Sequence, residues 1–311
     1  MVLGARLCEV DSVGDGFSAC ESIGPALWLP AGRRAYSALV TTRTPDVYTH
    51  GHHESVLRSH RWRTAENSAG YLLPALAPGQ RVLDVGCGPG TVTVDLASRV
   101  APGEVVGVDR SAKVLEAAVE HAQEKGADNV TFRVGDAYAL DFPDDSFDVV
   151  HAHQVLQHLT DPVAALREMR RVTRPGGVVA VRDADYAAMT WYPEHHGLDE
   201  WQALYHEVTE ANGAEADAGR RLLSWVRDAG FDPAGIAPGA GIWCYATPED
   251  RAWWAGLWAD RCVASNFAVQ AMAHHLADEV GLELLADAWR EWGQSLDGWF
   301  AVPHGEVLAR V

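Results

Sequence analysis

The sequence predicts an α/β fold: a doubly wound, mainly parallel seven-stranded sheet of Rossmann-like type, with an N-terminal helical lid and a C-terminal helical cap. Three observations predict it. Between residues 81 and 185, valine-rich runs alternate with helix-patterned segments, and near-continuous apolar runs mark strands buried on both faces, as in βαβ units. The first run, VLDVGCGPGTVTVDLA over 82–97, passes through three closely spaced glycines into a helical pattern. After Asp185 the composition changes: residues 186–311 hold ten of the twelve tryptophans and −12 of the formal net charge of −18.

Taken in order, residues 1–46 have weak periodicity and frequent Gly and Pro breaks, and read as a poorly structured arm. Residues 47–78 form a lid helix, with Val56, Leu57, Trp62, Tyr71, Leu72 and Leu76 as its packing face before Pro78–Gly79 stops it. The core over 79–185 reads as strands at 81–86, 104–109, 130–136, 146–153 and 176–185, with helices at 91–100, 111–126 and 161–173. Residues 186–311 interleave cap helices with the last strands: a helix over 219–230, a strand near 242–245, helices between 248 and 296, and a closing strand within 298–311.

Bulk properties narrow the partners. A net charge of −18 with two lysines among 25 basic residues offers no footprint for nucleic acid or an anionic membrane surface. No run approaches the roughly 18 apolar residues of a membrane helix. The first thirty residues carry Asp11, Asp15 and Glu21 where a signal peptide would be apolar, so the expected location is cytoplasmic. The five cysteines are dispersed, with no CxxC pair, and no metal is expected.

Gly86, Gly88 and Gly90 give G-x-G-x-G with Thr91 following, whereas a dinucleotide turn has G-x-G-x-x-G, and no Lys-Ser/Thr pair follows to make a Walker loop. Asp109 ends the second strand, where a carboxylate can accept ribose hydroxyls or simply cap the next helix. Asp136 follows the third strand along the same carboxyl edge.

The ordered stretches VLDVGCGPG, VVGVDRS, VGDAYALDFPDDSFDVVHAHQVLQHL and RVTRPGGVVAV resemble the class I S-adenosylmethionine-dependent methyltransferases, especially the UbiE-like quinone-biosynthesis group, over about residues 48–185. The resemblance implies S-adenosyl-L-methionine as cofactor and S-adenosyl-L-homocysteine as product. It implies that Asp84, Gly86, Gly88 and Gly90 line the methionine part, with the glycines leaving ligand clearance. By the same carry-over Asp109 binds the ribose, Arg110 and Ser111 border the adenine, Asp136 and Ala137 bind its edge, and His153 and Gln154 sit beside the methionine ammonium and the transferable methyl.

For an oxygen or carbon acceptor a nearby base assists, and His153 and His158 are the candidates, each with a structural role as the alternative. In similar enzymes the segment before the first strand closes over the cofactor, which brings in Tyr48, His50, His60 and Arg63. His52 and His53 read as solvated surface. Trp191, Tyr192, Trp201 and Tyr205 begin the aromatic set where acceptor specificity is expected, although tryptophans at helical spacing usually pack. The reading is methyl transfer to oxygen or carbon of a small, largely apolar metabolite, quinone-like or secondary, by an enzyme free to form homo-oligomers. The competing readings are a cofactor-binding fold acting as a non-methylating cyclase or regulator, and a nicotinamide dehydrogenase, which the glycine spacing opposes.

Overall fold

A computed structural model describes residues 46–51 and 53–311. The chain divides into two units, 1–43 and 44–311, and every described residue belongs to the second. The expected arm over 1–46, apart from Asp46, and His52 lie outside the described residues.

The lid region is not one helix. It forms α1 (Glu54–Arg61), α2 (Ala65–Ala69) and a 3₁₀ turn at Leu73–Ala75. The break falls at Thr64, whose hydroxyl accepts from the Asn67 N–H while the Asn67 side chain accepts from the Thr64 N–H, a reciprocal cap that starts a new helix. His53, expected as plain surface, caps α1 by accepting from the Ser55 N–H.

The core then runs β1 (Val82–Val85), α3 (Thr91–Val100), β2 (Val105–Asp109), α4 (Ala112–Lys125), β3 (Val130–Val134), β4 (Phe147–His153), α5 (Pro162–Val172) and β5 (Thr173–Ala184). Local chemistry sets the boundaries. Ser111 caps α4 and Gly126, at φ +64°, ends it; Asp161 caps α5 with Pro162 at its first position.

The cap and closing strands are β6 (Thr190–Tyr192), α6 (His196–Ala211), α7 (Ala218–Asp228), β7 (Ile236–Tyr245), α8 (Pro248–Ala264), α9 (Asn266–Ala273), α10 (Glu279–Gly293) and β8 (Trp299–Arg310). The described strands form one sheet in the order β3-β2-β1-β4-β5-β8-β6, with β7 on the other side of β8. The first five are parallel, and β8 runs antiparallel to β5, β6 and β7. The eighth strand, beyond the seven expected, is the three-residue β6. It continues along β8 past the end of β5, with Trp191 opposite Phe300.

Both sheet faces are covered. Leu72 of the lid region and Val92, Leu96 and Val100 of α3 pack on Val82, Val105 and Val149. Leu166 and Met169 of α5 with Leu222 and Val226 of α7 pack on Leu83, Val106, Val150 and Val179. A separate cluster holds the cap: Trp201, Tyr205, Trp254, Trp258, Trp289 and Trp292 are all buried in it. Strand order reverses between β1 and β4, so the carboxyl ends of these strands open the crevice where doubly wound sheets bind ligands.

Candidate functional site: the carboxyl edge beneath the lid

After β1 the backbone turns through Gly86, Gly88 and Gly90 at φ of +69°, +54° and +76°, a region that costs L-residues with a Cβ. Their surroundings differ, which corrects the expectation that all three leave clearance for a ligand. A Cβ at Gly86 would stand 2.4 Å from Val155 Cγ2, and one at Gly90 would stand 2.9 Å from Ala118 and Phe132. At Gly88 the nearest side-chain atom is His60 Nδ1, 3.7 Å away. Gly86 and Gly90 serve the packing of the protein; Gly88 lies under an open cradle roofed by the lid.

Asp109 joins two parts of that cradle. One carboxylate oxygen accepts from the Gly88 N–H at 3.1 Å and the other from the Ser111 N–H at 2.9 Å. A carboxylate has about four lone-pair sites, so capacity for a ligand diol remains. Asp136 is exposed and accepts from the Tyr138 N–H at 3.0 Å, with Ala137 half-buried beside it. Arg110 points outward and donates to the Asp46 carbonyl.

Asp84, expected at the methionine part of the cofactor, makes its hydrogen bonds within the protein. It is buried, accepting from Thr93 Oγ1 at 2.6 Å and from His151 Nδ1 at 2.8 Å, so both oxygens tie β1 to α3 and β4 beneath the loop.

The end of β4 carries the strongest chemistry. His153 is buried, and neither ring nitrogen has a hydrogen-bond partner among the described residues. Its ring lies 5.6 Å from Trp243 and stacks 6.1 Å from His304. Burial, reinforced by the Arg63 and Arg182 guanidinium groups, drives its pKa well below the ordinary histidine value, so the ring is neutral. Gln154 follows at φ +53°, unusual for a residue with a Cβ. Its side chain accepts from Arg63 and donates to His304 Nε2 at 2.9 Å, while His304 Nδ1 donates to the Val302 carbonyl, which fixes that ring's tautomer.

The lid supplies the roof. Segment 46–51 is held from both sides: Asp46 accepts from Thr160 N and Oγ1, each at 2.8 Å, and the Tyr48 carbonyl accepts from Asn266 and Gln270 of the cap. His50 is buried, with the Tyr205 and Tyr186 hydroxyls 3.1 and 3.3 Å from its Nε2. Tyr48 and His50 meet His158 edge-on, at 4.7 and 5.6 Å between rings. Burial lowers the His158 pKa to about 3 and raises that of Tyr48 to about 12. The His158 ring accepts from the Gln157 amide at 2.9 Å.

The four aromatic acceptor candidates separate. Tyr205 is almost fully buried and stacks on His50, with 5.5 Å between the rings. Trp201 is fully buried against Trp258 and Trp289, leaving it no face for an acceptor. Trp191 stacks on Phe300, and Tyr192 is 58% exposed on the outer surface.

Residues 76–230 match a family profile described as a methyltransferase domain. An uncharacterised methyltransferase of Schizosaccharomyces pombe is 37% identical over 270 residues, covering 84% of this chain and 95% of the relative. The chain belongs to the class I S-adenosylmethionine-dependent methyltransferases.

A probable methyltransferase of Aspergillus luteorubrus is 30% identical over 289 residues, covering 87% of this chain and 99% of the relative. A crystal structure from Bacillus halodurans, provisionally assigned as a methyltransferase, aligns with a TM-score of 0.50 at 19% identity, over 77% of this chain and 96% of that one, and supports the fold. S-adenosylmethionine is the methyl donor of the family, and this methyltransferase fits it: the cradle at Gly88 and the Asp109 carboxylate form one continuous edge.

Sequence reasoning missed several residues that the methyltransferase fold brings to this crevice: His304, Arg182, Arg261 and Val155. His304 was hidden in a closing strand whose pairing with β5 places it opposite Ala184, at the sheet's carboxyl edge. Arg261 carried a readable signal, since it falls three residues after Trp258 and seven after Trp254, on the buried stripe of α8.

Proposed function

We propose that this methyltransferase methylates an oxygen or carbon of a small, largely apolar metabolite of quinone-like or secondary-metabolite type. The observation that supports this reading most directly is His153: a neutral, buried imidazole whose two nitrogens have no hydrogen-bond partner among the described residues, at the carboxyl end of β4 and walled by Trp243 and His304. The cofactor supplies an activated methyl group on a sulfonium, so the protein's task is alignment of the acceptor.

In this reading Asp109 accepts the ribose hydroxyls, with Gly88 giving the backbone its close approach. Asp136 and Ala137 bind the adenine edge, bordered by Arg110 and Ser111. Arg63, which already reaches Gln154 from the lid, faces the methionine carboxylate. His153 takes the proton that an oxygen or carbon acceptor gives up. Burial keeps it proton-free at neutral pH but also makes it a weak base, which suits an acceptor whose own proton is acidic. His158, locked between Gln157, Tyr48 and His50, holds the lid segment against the sheet.

The test is a panel of quinols, phenols and polyketide-type enols assayed for production of S-adenosylhomocysteine, with the methylated atom located by mass spectrometry and NMR. The reading expects O- or C-methylated products, and His153→Gln lowering kcat about 10²-fold or more, the range of a lost general base, with little change in donor affinity. Exclusive N-methylation, or substrate turnover without S-adenosylhomocysteine, would overturn it.

A further inference from the structure

The donor site and His153 leave one buried charge unexplained. Arg261 on α8 is 4% exposed, yet no carboxylate pairs with it among the described residues. Its one hydrogen bond within the described residues runs from a terminal nitrogen to Ser59 Oγ at 2.7 Å, its Nε is buried without a partner, and its guanidinium lies 4.9 Å from the centre of the Trp258 ring. A guanidinium has five N–H donors, and burying one without a counter-charge is costly. A clamp between α8 and α1 needs no charge here. The exposed pair Arg58–Asp260, at 2.8 Å, already joins the same two helices.

The surroundings are buried rings. Arg261 acts electrostatically on His50, Tyr48 and Tyr205, and Trp258 packs at 5.8 Å from His50. Arg63 likewise has no carboxylate partner among the described residues, its side chain donating to Gln154. Asp183, its carboxyl raised to about 7 by burial, acts on Arg63 and Arg182, whereas the groups that chiefly favour the charge on Arg261 are tyrosines.

We propose that Arg261 is an acceptor-binding residue, and that the acceptor is an apolar molecule carrying one oxyanion, a carboxylate or an ionised phenol or enol, which the Arg261 guanidinium holds. This deepens the methyl-transfer reading and rests on it for the identity of the ligand as acceptor. The oxyanion supplies the missing counter-charge.

The experiment is calorimetry on the full chain saturated with S-adenosylhomocysteine. One arm titrates benzoate and 2-naphthoate against their neutral amides; the other titrates 4-nitrophenol above its own pKa against 4-nitroanisole. The expected result is that at least one anion binds about tenfold or more tighter than its neutral partner, the scale of a hydrogen bond to a charged group. The arm that shows it tells a carboxylate from a phenolate. Arg261→Gln removes the preference while S-adenosylhomocysteine still binds, and Arg261→Lys, keeping a charge without the planar fork, restores part of it. Equal or absent binding of anion and neutral partner in both arms of the wild-type protein overturns the proposal without recourse to any variant, as does a preference that survives in Arg261→Gln. Failure of the methyl-transfer reading looks different: anions then bind with the Arg261-dependent preference, yet no compound in the acceptor panel is methylated.

Discussion

Gly86, Gly88 and Gly90 share a positive φ and divide two duties. Alanine at Gly86 adds a clash with Val155 to the left-handed backbone strain, so it should destabilise the fold by about 2–5 kcal/mol in urea unfolding. Alanine at Gly88 meets no atom closer than 3.7 Å and should cost about 1–2 kcal/mol, while weakening S-adenosylhomocysteine binding far more than its stability loss explains. Equal stability losses at the two positions would count against this division. Asp109 is tested in the same titration. Asp109→Ala should weaken cofactor binding by about 1–3 kcal/mol, and unchanged affinity would leave it only the backbone bonds to Gly88 and Ser111.

At the scale of elements, lid and cap form one roof from distant parts of the chain. Trp62, between α1 and α2, meets Trp243, Tyr245 and Trp253 at ring distances of 5.3, 5.7 and 5.5 Å, and Trp243 Nε1 donates to the Asn67 carbonyl at 2.6 Å. Since Trp62 keeps 37% of its surface exposed, Trp62→Ala should cost roughly 1–2 kcal/mol of global stability by area lost. Amide exchange should show the larger effect locally, as faster opening of residues 54–69 than of β4 or β5. Trp289 is the contrast. Fully buried between Trp201, Trp258 and Trp292, it should cost about 3–5 kcal/mol when cut to alanine, with the loss spread over the cap helices.

For the whole molecule, four buried histidines, His50, His153, His158 and His304, have pKa values pushed down by burial. Below the ordinary value of 6.5 the unfolded chain takes up protons that the folded chain refuses, so stability falls as pH falls. Each such histidine contributes at most about 1.4 kcal/mol per pH unit. Asp183, raised to about 7 by burial, works in the opposite direction over the same range and offsets one of the four. The thermal midpoint should therefore drop steeply between pH 6.5 and 5; a flat profile would mean these rings are charged or solvated in the fold.

The β1–α3–β2–α4–β3–β4–α5–β5 succession was legible because strand and helix periods, glycine turns and caps such as Ser111 and Asp161 are local properties of the chain. So was the donor motif, since residues adjacent along a loop stay adjacent in space. Sequence by itself therefore determined the fold class and the methyltransferase family, and it marked out the proposed donor edge from Gly86 to Asp136. The tertiary structure alone decided which side chains are committed to one another: that Trp201 is packed in the core, that Asp84 bonds Thr93 and His151, that His304 bonds Gln154, and that Arg261 of α8 bonds Ser59 of α1. Gln154 and His304 lie 150 residues apart and Ser59 and Arg261 lie 202 apart, and only the antiparallel return of β8 and the packing of α8 on α1 bring them together.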